Sequence, residues 1–307
     1  MIKPFGFNIV LTTKLENTTL MKTKILLGII ALIAVFSLTG CSKDSSTSDS
    51  AFTSDDVKAS NKMDQASNDV SEIVEDQYLQ QNPSAAGKTT ASYVSILPSC
   101  ATVTTEVTAT TWTRTIVFAN GGCTMPNGNV LEGSIIVSGS LNFNTPSYVI
   151  NYQFVNFRHN NILIEGNKTI TRTFTNSALL ATNHPIHVMD INMTFTFPNG
   201  DVYTRVGTRK RECIDGFTSP MNWHDNVYLI TQNITTTKPN GATHTNTVTD
   251  ASPLRIEMNC QYRIVSGILT ITKPNHTAVL DYGTGTCDNN ATISIDGGTP
   301  TAFTFGN

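Results

Sequence analysis

The chain has 307 residues, 20 of them basic and 23 acidic, for a net charge of −3. Charged residues make up 14%, against ~25% in an average soluble protein, and polarity comes instead from 47 Thr and 29 Asn. That excludes collagen, a coiled coil and a highly charged disordered chain, and leaves no basic footprint for nucleic acid. Thr suits pleated surfaces and Asn suits turns, so the composition points to β structure.

In chain order the first signal is Met21-Lys22-Thr23-Lys24, a short basic start, followed by an apolar stretch from Ile25 to Leu38. It is shorter than the ~20 residues a spanning helix needs, and its flanks are those of a signal peptide. Leu38-Thr39-Gly40-Cys41 resembles the lipobox of bacterial lipoproteins. The resemblance implies that Cys41 is acylated and becomes the new N-terminus. Residues 1–20 are then expected to be an upstream extension from start-site choice, and 21–40 the signal peptide. Residues 41–53 are Ser/Thr/Asp-rich and read as a flexible acidic tether. The expected location is the cell envelope, lipid-anchored to the outer membrane on its periplasmic face or at the cell surface.

Residues 54–82 carry Met63, Ala66, Val70, Ile73, Val74 and Tyr78 at spacings of three and four, after the helix-start signal Ser54-Asp55-Asp56 and before Pro83. This spacing predicts one amphipathic helix, packed by its apolar stripe, with its carboxylates in water. Deleting it is expected to lower the melting temperature. Residues 41–90 hold nine carboxylates against four Lys, so most of the chain's acidity falls in tether and helix.

From residue 92 to 307 the pattern alternates, as in Ile191, Met193, Phe195 and Phe197 between Asn192, Thr194 and Thr196. Alternation with Pro-Asn-Gly turns at 198–200 and 239–241 predicts hairpin-connected antiparallel strands. The expected fold class is all-β: about a dozen strands in a rolled sheet or a sandwich, preceded by the one helix.

An exported chain meets an oxidising compartment, and five cysteines follow Cys41. Cys100 and Cys123 are roughly equidistant from a hairpin turn near Thr111, and Cys260 and Cys287 from the Lys273-Pro274 turn. Residues so placed face each other across antiparallel strands, which predicts bridges Cys100–Cys123 and Cys260–Cys287. Cys213 is then unpaired and buried. The rival pairing joins Cys213 to Cys260 and strands Cys287.

Cys100-Ala101-Thr102-Val103-Thr104, Gly122-Cys123, Gly133-Ser134-Ile135-Ile136-Val137 and Phe154-Val155-Asn156-Phe157 recur with Glu165 to Thr171, Val265-Ser266-Gly267 and Asp281-Tyr282-Gly283. With Gly285-Thr286-Cys287-Asp288-Asn289 they resemble a family of uncharacterised Bacteroidota-type envelope lipoproteins over roughly residues 92–298. The resemblance implies no activity, cofactor or catalytic residue. Cys213 stands where an aromatic residue is expected.

No reaction-class signature assembles. Gly-x-Ser-x-Gly is absent, and Glu132, Glu165, Asp190, Glu212 and Glu257 read as isolated charges. His184 and His187, three apart on a strand, point to opposite faces and read as an exposed pair beside a turn, not metal ligands. His159, His224, His244 and His276 have no partner at ligand spacing. The glycine loop from Asp281 to Asn289 reads as a turn beside a disulfide more readily than as a Ca²⁺ loop. Trp112 and Trp223-His224 are core aromatics or a sugar-stacking platform. Arg205 to Arg211 reads as a solvated strand edge. No metal or other cofactor is expected. The chain is expected to be a non-catalytic binding or structural module of the envelope, with a glycan or envelope protein as ligand. The alternative is an envelope hydrolase or carbohydrate-active enzyme, which a deep pocket with converging carboxylates would favour.

Overall fold

The computed structural model describes residues 51–82, 94–219 and 222–305. Cys41 and the lipobox lie outside them. Among the described residues one α-helix, α1 (Ser54–Gln81), precedes fifteen strands. The first eight are β1 (Ala101–Val107), β2 (Thr111–Thr124), β3 (Val130–Ser140), β4 (Ser147–His159), β5 (Ile162–Glu165), β6 (Asn167–Thr175), β7 (His184–Thr196) and β8 (Val202–Asp215). After them come β9 (Val227–Thr237), β10 (Thr243–Val248), β11 (Leu254–Glu257), β12 (Ile264–Lys273), β13 (His276–Thr284), β14 (Asn290–Ile295) and β15 (Thr301–Thr304).

All fifteen belong to one antiparallel sheet that runs nearly in chain order from β1 to β15. β5 and β6 share the place between β4 and β7, and β10 and β11 share the place between β9 and β12. Tight turns set this order. Gly200 (φ 89°) and Gly241 (φ 82°) take the left-handed position in the β7–β8 and β9–β10 turns, where their N–H groups donate to Phe197 O and Lys238 O. Strands as far apart in the sheet as β4 and β13 reach one helix, so of the two forms expected the sheet takes the rolled one.

What it rolls around is α1. Thr53 caps the helix: its Oγ1 accepts from Asp56 N and Asp56 Oδ2 accepts from Thr53 N, each at 3.1 Å. The stripe from Met63 to Tyr78 is fully buried, as its spacing predicts. Burial does not stop at the stripe, however. Every residue from Ala66 to Tyr78 is buried, more than three turns, so protein surrounds the helix on all sides. Its contacts confirm this, reaching β4 at His159, β7 at Met193, β8 at Arg205, β10 at His244 and β13 at Tyr282.

A helix so enclosed is normally apolar all round. This one carries Asp64, Asp69, Glu72, Glu75 and Asp76 into the core. The sheet answers them with arginines and histidines. Asp64 Oδ1 accepts from Arg205 Nη1 at 3.0 Å and Arg209 Nη1 at 3.1 Å. Arg209 also donates to Asn68 and Gln232. His159 lies 2.8 Å from Asp69, Arg211 3.5 Å from Glu72, and Arg172 3.2 Å from Glu75. The solvated reading of the helix acids is therefore wrong, and so is that of the basic run. β8 lies inside the sheet between β7 and β9, and its arginines face the helix while Val202 and Val206 face water. Pairing inside the roll reverses the usual direction of an Arg/Val alternation.

The histidine expectations divide. His184 and His187 do point to opposite faces, but neither is exposed. His184 is fully buried against Glu212 at 2.9 Å, and His187 lies 3.2 Å from Glu75. Glu212 is equally no isolated charge, since Ser177 donates to it and Lys210 lies 2.7 Å away. His159 is fully buried, with Asp69 as its partner.

Cys100 and Cys123 stand at disulfide distance with Cα atoms 5.8 Å apart, as do Cys260 and Cys287 at 5.6 Å, and Cys213 is unpaired and buried. The route to these pairs differs from simple hairpin symmetry. β1 pairs Ala101 with Phe118, and a bulge between Phe118 and Cys123 then carries Cys123 back to Cys100. Cys260 sits in the tight turn between β11 and β12, not on a strand. Each bridge closes a loop of 23 or 27 residues, which constrains the unfolded chain by about 3 kcal/mol. Peptide mapping of the non-reduced protein is expected to return these two links and a Cys213 peptide free of any partner; a Cys213-linked peptide would contradict the arrangement.

Candidate functional site

Where α1 ends, the sheet does not close onto it. A cavity of about 520 Å³ opens there, floored by Glu72, Glu75, His187, Cys213 and Tyr228. Its walls and mouth come from Tyr78, Phe143, Tyr148, Phe174, Phe217 and Trp223. Loop residues Asn144–Pro146 and the loop residues Gly216, Phe217, Ser219 and Asn222 thus meet strand residues and the last turns of the helix. The two tryptophans part company here. Trp112 is fully buried and donates from Nε1 to Tyr148 Oη at 2.8 Å. Trp223 is half-buried in the cavity wall, stacked on His224 with ring centroids 3.6 Å apart.

Burial pushes the Glu72 carboxyl above its ordinary range, and the charges of Arg263 and Arg211 do not cancel that rise. Burial also works against ionised Glu75, but His187, where it is protonated, and Arg172 outweigh it and hold that carboxyl low. Desolvation lowers His187 to about 4, with Arg172 and Arg211 acting the same way and Glu75 opposing. His187 is therefore neutral at neutral pH, and Arg172 is the charge that secures Glu75. Burial pushes the Cys213 thiol up to about 12, so it is a small apolar surface there, not a nucleophile.

The cavity gathers carboxylates that a solvated helix would have kept apart. Asp76 also lines it, accepting from Ser95 Oγ at 2.7 Å and Ile96 N at 3.1 Å. A smaller cavity of about 250 Å³ lies farther up the helix at Asp69, Asn129, Tyr262 and Arg263. Asp69 is saturated there by Asn127, Asn129 and His159. In the glycine loop Asp281 Oδ1 accepts from Gly283 N and Asp288 Oδ1 from Asn290 N, so each carboxylate caps its own turn. Among the described residues no group of three or more His, Cys, Asp and Glu is placed to hold a metal ion, and no helix is long and apolar enough to cross a membrane.

The buried imidazoles make stability depend on pH. His244, near Ser60 and the Phe52 ring, is lowered by burial to about 4, with Arg205, Lys238 and Lys273 adding to the effect against Asp56. In the unfolded chain a histidine titrates near 6.5. Between those values the unfolded state binds more protons, so stability present above pH 6.5 is lost as the pH falls towards 4. The loss is about 3 kcal/mol for each of His187 and His244. Urea midpoints measured between pH 7.5 and 4.5 are expected to fall accordingly. A flat profile would mean that these rings are protonated within the fold.

Compared with protein-family models, curated proteins and solved structures, the chain matches none. Function must be argued from the site.

Proposed function

We propose that this protein is a lipid-anchored lipoprotein of the cell envelope, and that its β domain is a non-catalytic binding module with the helix-end cavity as its ligand seat. The observation that carries the binding reading is that cavity, where aromatic walls meet buried polar groups around 520 Å³ of space. The anchor reading rests on the run from Leu38 to Cys41 behind its apolar stretch, and the motifs from Cys100 to Asn289 favour the Bacteroidota-type envelope family. The outer-membrane address rests on Ser42 directly after Cys41, by analogy with other bacterial lipoproteins, and a glycan or an envelope protein is the ligand that such an address would offer.

Two experiments test this. Replacing Cys41 by Ala is expected to abolish lipid labelling and release the protein from the membrane fraction. Retention after a carbonate wash would sink the anchor. A pull-down of envelope glycans and proteins with the mature chain is expected to lose its capture when Phe217→Ala alters the cavity wall. Capture that the variant leaves unchanged places the ligand elsewhere.

One observation favours a second reading, a hydrolase: Glu72 is pushed up and Glu75 held down on the same cavity floor, as in an acid–base pair. Under that reading a captured glycan is cleaved, and Glu72→Gln stops the cleavage.

A further inference from the structure

The chemistry of the helix-end cavity narrows what it accepts, provided that it is a ligand seat. Glu72, Glu75 and His187 are each more than nine-tenths buried and line it. Glu72 Oε1, Glu75 Oε2 and His187 Nε2 have no hydrogen-bond partner. Glu72 Oε1 is 3.5 Å from Arg211 Nη2, and His187 Nε2 is 3.2 Å from Glu75 Oε2, close enough for charge to act but without hydrogen-bond geometry. Buried polar atoms are normally paired, so three unpaired ones on one cavity floor mark unused hydrogen-bonding capacity.

Charge then removes most candidates. A cation seeking the aromatic walls meets a guanidinium already over three of them: Arg172 over Tyr78 at 4.8 Å, Arg211 over Tyr228 at 3.5 Å and Arg263 over Trp223 at 5.5 Å. An anion finds Arg172 already held by Glu75 at 3.2 Å and lying over Tyr78, and it also meets Asp76 and the carbonyl end of α1, where no basic residue occupies the last turn. A purely apolar chain leaves the three polar atoms unsatisfied. A neutral ring with hydroxyls on its edge and C–H groups on its face meets none of these penalties. At the mouth, Phe174 is 57% exposed and edge-on to Phe217 with centroids 6.4 Å apart, an aromatic surface that the core does not use.

We propose that this cavity binds a neutral sugar, its hydroxyls directed to Glu72, Glu75 and His187 and its C–H face laid against Phe174 and Phe217. Trp223 supplies the readout, because the chain has only two tryptophans and the other, Trp112, is fully buried.

The test is calorimetry and tryptophan emission on the purified full chain. The neutral arm is a panel of disaccharides built on glucose, galactose, mannose and N-acetylglucosamine. The comparison arms are glucuronate, glucosamine and 1-octanol. At least one neutral disaccharide is expected to bind saturably and shift the emission. Phe174→Ala, at an exposed position that leaves folding alone, and Glu72→Gln are each expected to weaken it about tenfold. Binding of glucosamine, glucuronate or octanol in place of the neutral sugars, lost in the same variants, overturns the sugar and keeps the cavity as a ligand seat. No binding in any arm overturns both. Sugar binding that neither variant changes overturns the site.

Discussion

Deleting residues 54–82 is expected to abolish cooperative folding of the domain, not merely to lower its melting temperature. The helix is the centre of the roll, and 19 of its 28 residues are buried. Val57, Met63, Val70, Ile73, Val74 and Tyr78 are apolar residues with 2% or less of their surface exposed. At about 1.5–3 kcal/mol for each such side chain, their burial alone matches the entire net stability of a typical domain, about 5–15 kcal/mol. The deletion would also leave Arg205, Arg209 and Arg211 facing one another without their carboxylates. The measurement is near-ultraviolet circular dichroism with thermal unfolding. A cooperative transition in the deleted protein would show that the sheet holds its shape without the helix.

Asp64→Ala is expected to cost about 3–5 kcal/mol, the penalty for removing one partner of a buried ion pair. Asp64 is 1% exposed, and its Oδ1 takes bonds from Arg205, Arg209 and Gln232. Without it two fully buried guanidinium groups lose their counter-charge. Replacing all three charges together, with Asp64→Leu, Arg205→Met and Arg209→Met, is expected to cost far less, because the desolvation of the ions disappears with them. Urea denaturation of the single and triple variants separates the two effects. A loss below about 1 kcal/mol in Asp64→Ala would place the pair in the surface class, screened by solvent.

The elements of this fold are legible in its sequence because they are local. Spacings of three and four from Met63 to Tyr78 define a helix, the alternation around Ile191 to Phe197 defines a strand, and Pro-Asn-Gly marks the turns between strands. Even the cysteine pairs follow, since the members of each pair flank one hairpin at nearly equal distances from its turn, and the fold needs only local adjustments to bring them together. The bulge before Cys123 changes the register but not the partner.

What the sequence leaves open is which face turns inward. A period of two says that Arg205 and Val206 point to opposite sides of β8, and hydrophobicity alone assigns valine to the core. The tertiary structure decides the reverse, and the helix acids are the cause. Asp64, Asn68 and Glu72 recur every four residues along one helix face, as Arg205, Arg209 and Arg211 alternate along the inward face of β8. That complementarity was the one available signal for the polar core and for the cavity at its end. Asp64 and Arg205 are 141 residues apart in the chain. Burying one charge is costly and burying a matched pair is tolerable, so the match takes effect only where folding brings helix and strand together.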